Sequence, residues 1–205
     1  MSPPLTPDQA ADLYRNLLDD VLAVTAEFSR GLGLDPVVAV HPPEACGEMS
    51  GRVVPAFRVV AQRGRHLGER MAWAAREAGA AGARRILLRG SDSPLLPDRV
   101  LLQALRALDD HDLAVSPDRD GGYSLIALRK PCPGLFDHAM STQSVLEDTL
   151  ANARRLGLRP HVLPPSFDLD TAEDFLCLAE ARARGCANLC PRTLAFLDKN
   201  DLWGQ

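Results

Sequence analysis

Apolar residues recur along this chain in two patterns: short runs rich in β-branched residues, and longer segments with apolar positions at helical spacing. The first pattern is typical of buried strands and the second of amphipathic helices. Strands are predicted at residues 36–41, 56–62, 85–89, 113–117, 123–128 and 159–164. Helices are predicted at residues 67–79, from 97 onward, at 144–156, from about 170 and at 191–198, after a long helix near the start. Residues 41–55, which contain proline and glycine, are predicted to form a loop.

The first helix has a recognisable beginning. Thr6 can cap it, Pro7 suits its first position, and Gln9 completes a capping box with Thr6. The apolar positions that follow recur at helical spacing, and Gly31 is the expected end of the helix.

Strands alternate with helices along most of the chain, and this order implies a mostly parallel sheet with helices on both faces. The tight turn at Asp118–Gly122 joins two strands directly, which indicates that part of the sheet is antiparallel. No repeat, low-complexity tract or linker interrupts the pattern. We therefore predict one three-layer, Rossmann-like α/β/α domain over residues 1–205, of which about 186–205 form a C-terminal extension.

Composition limits the kinds of partner that this chain is expected to have. Its formal net charge of -4 does not favour a nucleic-acid partner. The first residues do not have the pattern of a signal peptide, and no apolar run approaches the length of a bilayer-spanning helix. The five cysteines lack zinc-ligand spacing and are expected to be reduced thiols, which favours a cytoplasmic location.

A carboxylate directly follows the third predicted strand. Asp92 stands there between Ser91 and Ser93. In open α/β sheets ligands bind beyond the carboxyl ends of the strands, and an aspartate at this position can ligate Mg²⁺ or Mn²⁺. A turn aspartate that accepts hydrogen bonds from nearby main-chain amides would explain the same residues. Taken alone, this segment leaves both interpretations open.

Two further acidic segments fall at equivalent positions. Asp118 and Asp120 follow the fourth predicted strand, and Asp168 and Asp170 follow the last one. The first pair also fits a plain hairpin turn, and Asp170, or the threonine after it, would cap the next helix. Carboxylates that converge at one sheet edge repel one another unless a divalent cation or a hydrogen-bonding ligand lies between them. One or two carboxylates together with phosphate oxygens are the usual ligands of Mg²⁺.

Five segments together resemble a known family. They are QRGRHLGERM (62–71), LLRGSDSPLL (87–96), SPDRDGGYSLIALR (116–129), MSTQSVLEDTL (140–150) and DLDTAEDF (168–175). In this order they resemble a bacterial glycosyltransferase-like family of unknown function, related to 2-phospho-L-lactate guanylyltransferase and associated with radical-SAM/selenodomain proteins. The similarity covers most of the chain, and it implies the nucleotide-diphospho-sugar transferase (GT-A-like) fold.

The resemblance also implies roles for individual residues. Asp92, with Ser91 beside it, would be the metal or nucleotide aspartate, and Asp170 would be the second ligand of a Mg²⁺ or Mn²⁺ ion. The residues expected near the nucleotide are Gln62, Gly64, Leu67, Gly68 and Glu69. The residues expected to face the sugar or acceptor are Asp120, Gly121, Gly122 and Tyr123. Asp120 is in addition a candidate general base for the acceptor hydroxyl.

The beginning of the sequence departs from the family pattern. Relatives carry an N-terminal strand and a basic loop resembling PxPGxxKTRLAPPLT, whereas this sequence begins MSPPLTPDQA, after that point. The sheet is therefore expected to lack its first strand. A mis-assigned start, a loss of turnover with retained binding, and a segment of another chain in the gap all fit this departure. The open sheet edge would invite pairing with a second chain, so a homodimer is an expectation.

Three functions are consistent with the sequence. The first is a metal-dependent glycosyltransferase that takes a nucleotide-sugar donor and a small-molecule acceptor. The second is a nucleotidyltransferase, similar to a guanylyltransferase, which would use an NTP to make an NDP-activated metabolite. The third is a non-catalytic descendant that lacks the N-terminal nucleotide loop.

Overall fold

The first helix shows how local sequence sets the limits of an element. In the computed structural model, which describes residues 5–171, 173–185 and 187–203, this helix is α1 (Pro7–Leu32). Thr6 Oγ1 accepts the Gln9 amide at 3.2 Å and Gln9 Oε1 accepts the Thr6 amide at 2.9 Å, which confirms the capping box. The end predicted at Gly31 is wrong, because the left-handed residue that closes the helix is Gly33, with φ 63°.

The other elements follow the predicted alternation closely. They are β1 (Val37–Val40), α2 (Cys46–Arg52), β2 (Arg58–Ala61), α3 (Leu67–Ala80), β3 (Ile86–Arg89), α4 (Asp98–Ala107), β4 (Leu113–Pro117), β5 (Tyr123–Leu128), α5 (Val145–Arg155), β6 (Pro160–Val162), α6 (Asp174–Ala183) and α7 (Pro191–Lys199). Two 3₁₀ turns lie at Pro43–Ala45 and Ala187–Leu189. None of the helices within the described residues is both long enough and apolar enough to span a membrane.

The segment predicted as a loop between the first two strands contains helix α2. That prediction is wrong for residues 43–52, which form a 3₁₀ turn and then α2. The helix buries none of its residues, so its sequence has no apolar stripe from which a helix could be predicted.

The strands form two separate sheets. The first contains β1 and β2, which pair in parallel, and the second has the strand order β3-β5-β4-β6. Within the second sheet β5 runs antiparallel to both of its neighbours, whereas β4 and β6 are parallel. The prediction of a mostly parallel sheet with an antiparallel part beside the Asp118–Gly122 turn is therefore confirmed.

Helices cover both faces of the larger sheet. Along β5, Leu125 and Ala127 pack against α4, whereas Ile126 and Leu128 point to the opposite face. Buried residues of α3 and α5 pack on that second face. Because successive side chains of a strand alternate between the faces and all four of these are fully buried, β5 reads as a continuous apolar run. The three-layer architecture is thus confirmed.

The last helix packs into a core with α1 and α6. Leu194 and Leu197 of α7 lie in a buried cluster with Leu13 and Leu17 of α1. The carboxylate of Asp20, which is 1% exposed, accepts the main-chain amide and the hydroxyl of Thr193, both at 2.8 Å. The Arg192 amide also donates to it, at 3.2 Å. Helix α7, within the predicted C-terminal extension, is therefore joined to the main core by apolar and polar contacts.

A cleft of about 1280 Å³ separates the two sheets. Its walls include β1 on one side and β3 on the other, and it opens at the carboxyl ends of the strands beside Asp92, Asp168 and Asp170. Among the described residues no strand pairs with both sheets.

Candidate active site

Carboxylates meet where the parallel strands of the larger sheet end. Asp92 follows β3, Asp118 follows β4, and Asp168 and Asp170 follow β6. Strands β3 and β4 both run antiparallel to β5, and β6 runs parallel to β4. All three therefore point in the same direction, and their carboxyl ends lie at one edge of the sheet. The predicted convergence of the three acidic segments is present in the structure.

Short polar contacts hold these segments against one another. The Leu169 amide donates to the Asp92 carbonyl oxygen at 2.9 Å, and the Asp168 amide donates to Asp118 Oδ1 at 3.3 Å. The buried hydroxyl of Ser93 donates to Asp168 Oδ1. Each contact joins residues from two different strand ends, so the site is formed by tertiary folding.

Gly90 allows the chain to turn sharply between β3 and Asp92. A Cβ atom at Gly90 would lie 2.7 Å from Asp92 Oδ1 and 3.1 Å from Ser93 Oγ. The Asp92 carboxylate therefore folds back over the glycine. This close approach accounts for the glycine that ends the apolar run of β3.

The carboxylates at this edge resist ionisation. The pKa of Asp168 is raised to about 8, mainly by burial and in addition by the charges of Asp92 and Asp118. Burial also raises the pKa of Asp92, and the charges of Asp170 and Asp118 act in the same direction. For Asp170 burial is again the main cause of a raised pKa, followed by the charge of Asp120. A cation or hydrogen-bond donors at this edge would reduce the repulsion between the ionised carboxylates.

One arginine is enclosed beside these carboxylates. Burial lowers the pKa of Arg89 to about 10, although Asp92, Asp98 and Asp168 favour its charged form. Its guanidinium donates to Thr25 Oγ1 at 2.9 Å and to the Ser93 carbonyl at 3.1 Å. Its Nε is buried without a hydrogen-bond partner in the structure, so one donor on this side chain is unused.

Asp170 lies at the entrance to α6, but it does not cap the helix. The helix begins at Asp174, whose Oδ2 accepts the amides of Asp170 and Thr171 at 3.1 and 2.8 Å. The Thr171 hydroxyl donates to the same oxygen. The prediction that Asp170 or Thr171 supplies the capping side chain is therefore wrong, and the Asp174 carboxylate organises this turn instead.

The glycine turn after β4 is fixed by its neighbours. The Gly122 amide donates to Asp120 Oδ1 at 2.7 Å, and Gly121 adopts φ 89°. A Cβ atom at Gly121 would lie 2.0 Å from the Gln143 carbonyl oxygen, so only glycine fits there. Asp120 is exposed at the mouth of the cleft. Its role as a general base stays a prediction.

Tyr123 begins the strand after this turn and lies partly buried at the cleft. Its phenol oxygen accepts a hydrogen bond from Thr149 Oγ1 at 3.4 Å, and the His138 Nε2 lies 2.9 Å from the same threonine oxygen. Burial raises the pKa of Tyr123, so its hydroxyl keeps its proton. It can therefore offer a hydrogen bond to a ligand in the cleft.

The segment after β2 contributes only part of its predicted residues to the cleft. Gln62 lines the cleft, and its Nε2 donates to the Ala39 carbonyl at 3.0 Å. Glu69 is bound to Arg65, through the Arg65 side chain and amide at 2.7 Å, which lowers its pKa to about 2. Gly68 lies where a Cβ atom would come within 2.6 Å of the Phe136 carbonyl.

The cleft gathers most of the predicted site residues. Those that line it are Gln62, Leu67, Ser91, Asp92, Asp120, Gly122, Tyr123 and Asp170. Of the described residues, those predicted for the site but placed outside the cleft wall are Gly64, Gly68, Glu69 and Gly121. The ligand contacts predicted for both groups of residues stay a prediction.

The sequence assigned no site role to Asp118, Asp168 or Arg89. The first two were recognised only as members of acidic segments, and Arg89 as the last residue of a strand. Only the folded chain places them together, because each belongs to a different part of the sequence. For Arg89 the sequence offered one signal, which is that this charged residue ends an otherwise apolar strand.

The fold family implies a Mg²⁺ or Mn²⁺ ion, and the question is whether the carboxylates at this edge could hold it. In the part of the chain that the structure describes, no three His, Cys, Asp or Glu side chains are grouped closely enough to hold a metal ion by themselves. Two carboxylates with phosphate oxygens and water suffice for Mg²⁺. The buried Asp118 Oδ2, which has no hydrogen-bond partner, and the raised pKa values fit such a cation-dependent site.

The protein has a three-layer α/β/α architecture, an antiparallel strand β5 and an acidic edge at the carboxyl ends of its strands. These features define an α/β protein of the nucleotide-diphospho-sugar transferase type. Residues 24–142 match the family described as "Uncharacterized protein conserved in bacteria (DUF2064)", and the chain belongs to that family. The predicted family resemblance and fold class are thereby confirmed.

Solved structures show the same architecture. A protein of Desulfovibrio desulfuricans, provisionally assigned as a nucleotide-diphospho-sugar transferase, is 32% identical and superimposes with a TM-score of 0.82 over 96% of this chain and 85% of its own. A 4-diphosphocytidyl-2C-methyl-D-erythritol synthase is 18% identical, with a TM-score of 0.55 over 78% of this chain and 87% of its own.

A second synthase of that kind, from Anaerococcus prevotii, is 11% identical, with a TM-score of 0.58 over 82% of this chain and 89% of its own. At these identities the two synthases show the shared fold alone. No curated protein matches the chain.

Proposed function

We propose that this protein is a metal-dependent glycosyltransferase that takes a nucleotide-sugar donor. The observation that carries the proposal is the group of carboxylates with raised pKa values, Asp92, Asp168 and Asp170, at the mouth of a large cleft. The negative charges of a diphosphate and of these carboxylates repel one another, and a cation bound between them would offset this repulsion. The relative from Desulfovibrio supports the donor class.

Asp92 and Asp170 are the residues that would hold the ion. When bound, Mg²⁺ or Mn²⁺ neutralises the charge that develops on a diphosphate leaving group. Asp168 has a different part, since burial raises its pKa to about 8 and so keeps a proton at this edge at neutral pH, although the hydrogen bond from Ser93 acts in the opposite direction. Asp168 therefore limits the number of negative charges beside the donor.

Other residues of the cleft would position the reactants. The Tyr123 hydroxyl, held beside Thr149, can donate to a sugar or acceptor oxygen. Asp120 would accept a proton from the acceptor hydroxyl as that oxygen attacks the sugar carbon. Its exposed position at the cleft mouth leaves it open to an incoming acceptor.

A second candidate is a nucleotidyltransferase that makes an NDP-activated metabolite. Its support is that two proteins named as 4-diphosphocytidyl-2C-methyl-D-erythritol synthases share this fold. The same carboxylates would then act on a triphosphate, and pyrophosphate would leave. The separation of the two sheets by a cleft favours neither enzyme, and it is the feature that would suit a non-catalytic descendant.

Isothermal titration with UDP- and GDP-sugars and with GTP and CTP, each with and without Mn²⁺, tests the proposal. We expect a nucleotide sugar to bind with Mn²⁺ at least about tenfold more tightly than without it, and Asp92→Asn to remove this difference. Asp110→Asn, at an exposed site beyond the other end of β4, is the matched control and should bind like the parent protein.

The outcomes distinguish the three functions. NDP release from a nucleotide sugar supports the glycosyltransferase, and pyrophosphate release from an NTP supports the nucleotidyltransferase instead. If no nucleotide binds under any of these conditions, both enzyme proposals fail and the non-catalytic function remains. An unchanged Mn²⁺ effect in Asp92→Asn would reject the role of that carboxylate.

A further inference from the structure

Three side chains from different elements form a chain of hydrogen bonds that begins at the cleft. Tyr123, the first residue of β5, lines the cleft, and Thr149 belongs to α5. Thr149 Oγ1 donates to the Tyr123 phenol oxygen at 3.4 Å, and His138 Nε2 lies 2.9 Å from the same Oγ1. His138 Nδ1 lies 2.8 Å from the carbonyl oxygen of Ala139. The chain therefore connects the cleft with the loop between β5 and α5.

Thr149 is the buried centre of this chain. Its side chain is fully buried, and Tyr123 and His138 are the hydrogen-bond partners of its hydroxyl among the described residues. A threonine hydroxyl has one proton, so it donates to one of these two partners at a time. The hydrogen bond that Thr149 makes with His138 therefore determines what it offers to Tyr123.

The Ala139 carbonyl determines the position of one ring proton of His138. A carbonyl oxygen only accepts hydrogen bonds, so the contact at 2.8 Å requires a proton on Nδ1. A neutral imidazole has one ring proton, so its Nε2 is then an acceptor, whereas the cation has a proton on both nitrogens. A histidine changes its charge between about pH 5 and 8. The charge of His138 therefore decides whether Nε2 donates or accepts.

The two charge states of His138 direct the threonine proton differently. In the cation, Nε2 donates to Thr149 Oγ1, and the threonine proton goes to Tyr123, which is the direction of that bond in the structure. In the neutral form Nε2 accepts the threonine proton, so the phenol oxygen loses its donor. All three contacts are hydrogen bonds in these directions at the same time only when His138 is cationic.

The phenol group of Tyr123 responds to the threonine proton. Burial raises the pKa of Tyr123, so the phenol keeps its own proton in both states. While Thr149 donates to the phenol oxygen, that proton is available to an acceptor in the cleft. Once Thr149 donates to His138 instead, the threonine oxygen can accept the phenol proton, and Tyr123 offers only lone pairs to the cleft. The distance of 3.4 Å is long for a bond between hydroxyls, so this contact rearranges easily.

No ion pair fixes the charge of His138. Its ring is half-buried, and within the described residues it bonds to Thr149 and Ala139. The titratable and charged side chains on the elements packed around its loop are Asp137 in the loop itself, Glu147 and Asp148 of α5, Asp120 in the turn before β5, and His66, Glu69 and Arg70 at the start of α3. Asp148 accepts the Ser144 hydroxyl at 2.7 Å, and Glu69 is bound to Arg65. The charge of His138 is therefore free to follow the pH.

We propose that His138 is a positioning residue, which sets the direction of the Tyr123 hydroxyl through Thr149. Cationic His138 makes Tyr123 a hydrogen-bond donor into the cleft, and neutral His138 makes it an acceptor. A ligand oxygen without a proton, such as a phosphate oxygen or the ring oxygen of a sugar, is then bound by Tyr123 in the cationic state. The identity of that ligand rests on the proposed function, whereas the coupling of the three side chains does not.

Nitrogen NMR of the histidine rings, recorded from about pH 5 to 8, tests the first step. At low pH both ring nitrogens of His138 should carry protons. In the neutral form the Nδ1–H tautomer should dominate, because the Ala139 carbonyl requires that proton, whereas free histidine mostly carries its proton on Nε2. A neutral Nε2–H tautomer at His138 would overturn the proposal.

Carbon NMR of labelled tyrosine tests the coupling to the cleft. The chain has two tyrosines, Tyr14 and Tyr123, so Tyr14→Phe assigns the remaining Cζ signal. That signal responds to hydrogen bonds at the phenol oxygen, and it should shift along the same pH curve as the His138 ring. Carboxylates of the acidic edge also titrate, since the pKa of Asp168 is about 8. Only the part of the shift that a His138 substitution abolishes therefore belongs to the chain of hydrogen bonds.

Matched variants separate the titrating role of His138 from a merely structural one. His138→Gln can still bond to Thr149 but cannot titrate, so the protein should stay folded and lose this part of the Tyr123 shift. Thr149→Val should lose it although His138 still titrates, and Thr149→Ser should restore it. His111→Gln removes another partly buried histidine that contacts a main-chain carbonyl, and it should leave the Tyr123 shift unchanged.

The Tyr123 signal of the variants decides the outcome. A pH curve like that of the parent protein in His138→Gln or in Thr149→Val means that the proposal is wrong. Where the buried valine prevents folding, the comparison of His138→Gln with the parent protein decides alone. No nucleotide is present in these measurements, so a protein that shows the coupled shift but binds no nucleotide would contradict the proposed function and leave the role of His138 intact.

Discussion

The main-chain amide of Leu169 donates a hydrogen bond of 2.9 Å to the carbonyl oxygen of Asp92. This bond joins the segment after β6 to the segment after β3. Leu169 is itself fully buried, so the two aspartates on either side of it are held at the carboxyl edge by packing as well as by the hydrogen bond. The geometry of the candidate site therefore depends on the junction between two strand ends that are distant in the sequence.

Ser93→Ala tests the polar contact that closes this junction. The substitution removes the buried donor to Asp168 and should destabilise the protein by about 1–3 kcal/mol, measured by urea unfolding. Ser91→Ala is the matched control on the other side of Asp92. Its hydroxyl bonds to Tyr14 Oη at 2.9 Å in an exposed position, so its loss should cost less than about 0.5 kcal/mol. Equal costs for the two variants would contradict the importance of the Ser93 bond.

Asp168→Asn tests the proton held at the acidic edge. Because the pKa of Asp168 in the folded protein is about 8, the folded state keeps a proton that the unfolded chain releases above its ordinary pKa of 3.8. The unfolded state therefore binds fewer protons between these values, and the contribution of Asp168 to stability falls as the pH rises from about 4 to 8. Asparagine has no such proton to lose.

Urea unfolding of both proteins at pH 5 and pH 8 measures this effect. The stability of the asparagine variant relative to the parent protein should be greater at pH 8 than at pH 5, and histidine titration cancels in the comparison. A difference in stability that is the same at both pH values would show that Asp168 titrates normally.

Gly121→Ala should be strongly destabilising, because the new Cβ would overlap the Gln143 carbonyl and the residue would keep a left-handed φ of 89°. We expect a loss of about 2–4 kcal/mol in thermal or urea unfolding. Gly82→Ala provides the control, since Gly82 has φ 93° and open space around its Cβ position. Backbone strain alone should cost that variant about 1 kcal/mol. If the two losses are alike, the contact with Gln143 is unimportant.

Asp20→Ala should detach α7 from α1. The buried carboxylate of Asp20 accepts bonds from Thr193 and Arg192 at the start of α7, and removing it leaves these donors unpaired, at a cost of about 3 kcal/mol. Asp19→Ala is the neighbouring control. Asp19 pairs with Arg52 at 2.8 Å in a more exposed position, so its loss should cost less than about 1 kcal/mol.

Hydrogen exchange locates the effect of the Asp20 substitution. Amides of residues 191–199 should exchange faster in Asp20→Ala, whereas those of β4 and β5 should stay protected. Uniform loss of protection across the chain would instead indicate that α7 and the larger sheet unfold as one unit.

The sequence by itself determined the order and type of nearly every element. Apolar periodicity specified β4 and β5 to the residue, and the Thr6–Gln9 capping box specified where α1 begins. The sequence also contains aspartates directly after three predicted strands whose carboxyl ends lie at the same edge of the sheet. These features depend on contacts between residues close in sequence, so the local pattern contains them. α2 was missed for the same reason, because a helix that buries nothing leaves no apolar pattern.

Tertiary structure decided what the carboxylates do to one another and where the sheet is open. Asp92 and Asp168 are 76 positions apart by number, yet the charge of Asp92 contributes to the raised pKa of Asp168. The enclosed Arg89, the Asp174 carboxylate at the start of α6 and the gap between β1 and β3 likewise depend on which segments meet in space. Burial and charge act through distance, and the linear sequence gives no distances between its remote residues.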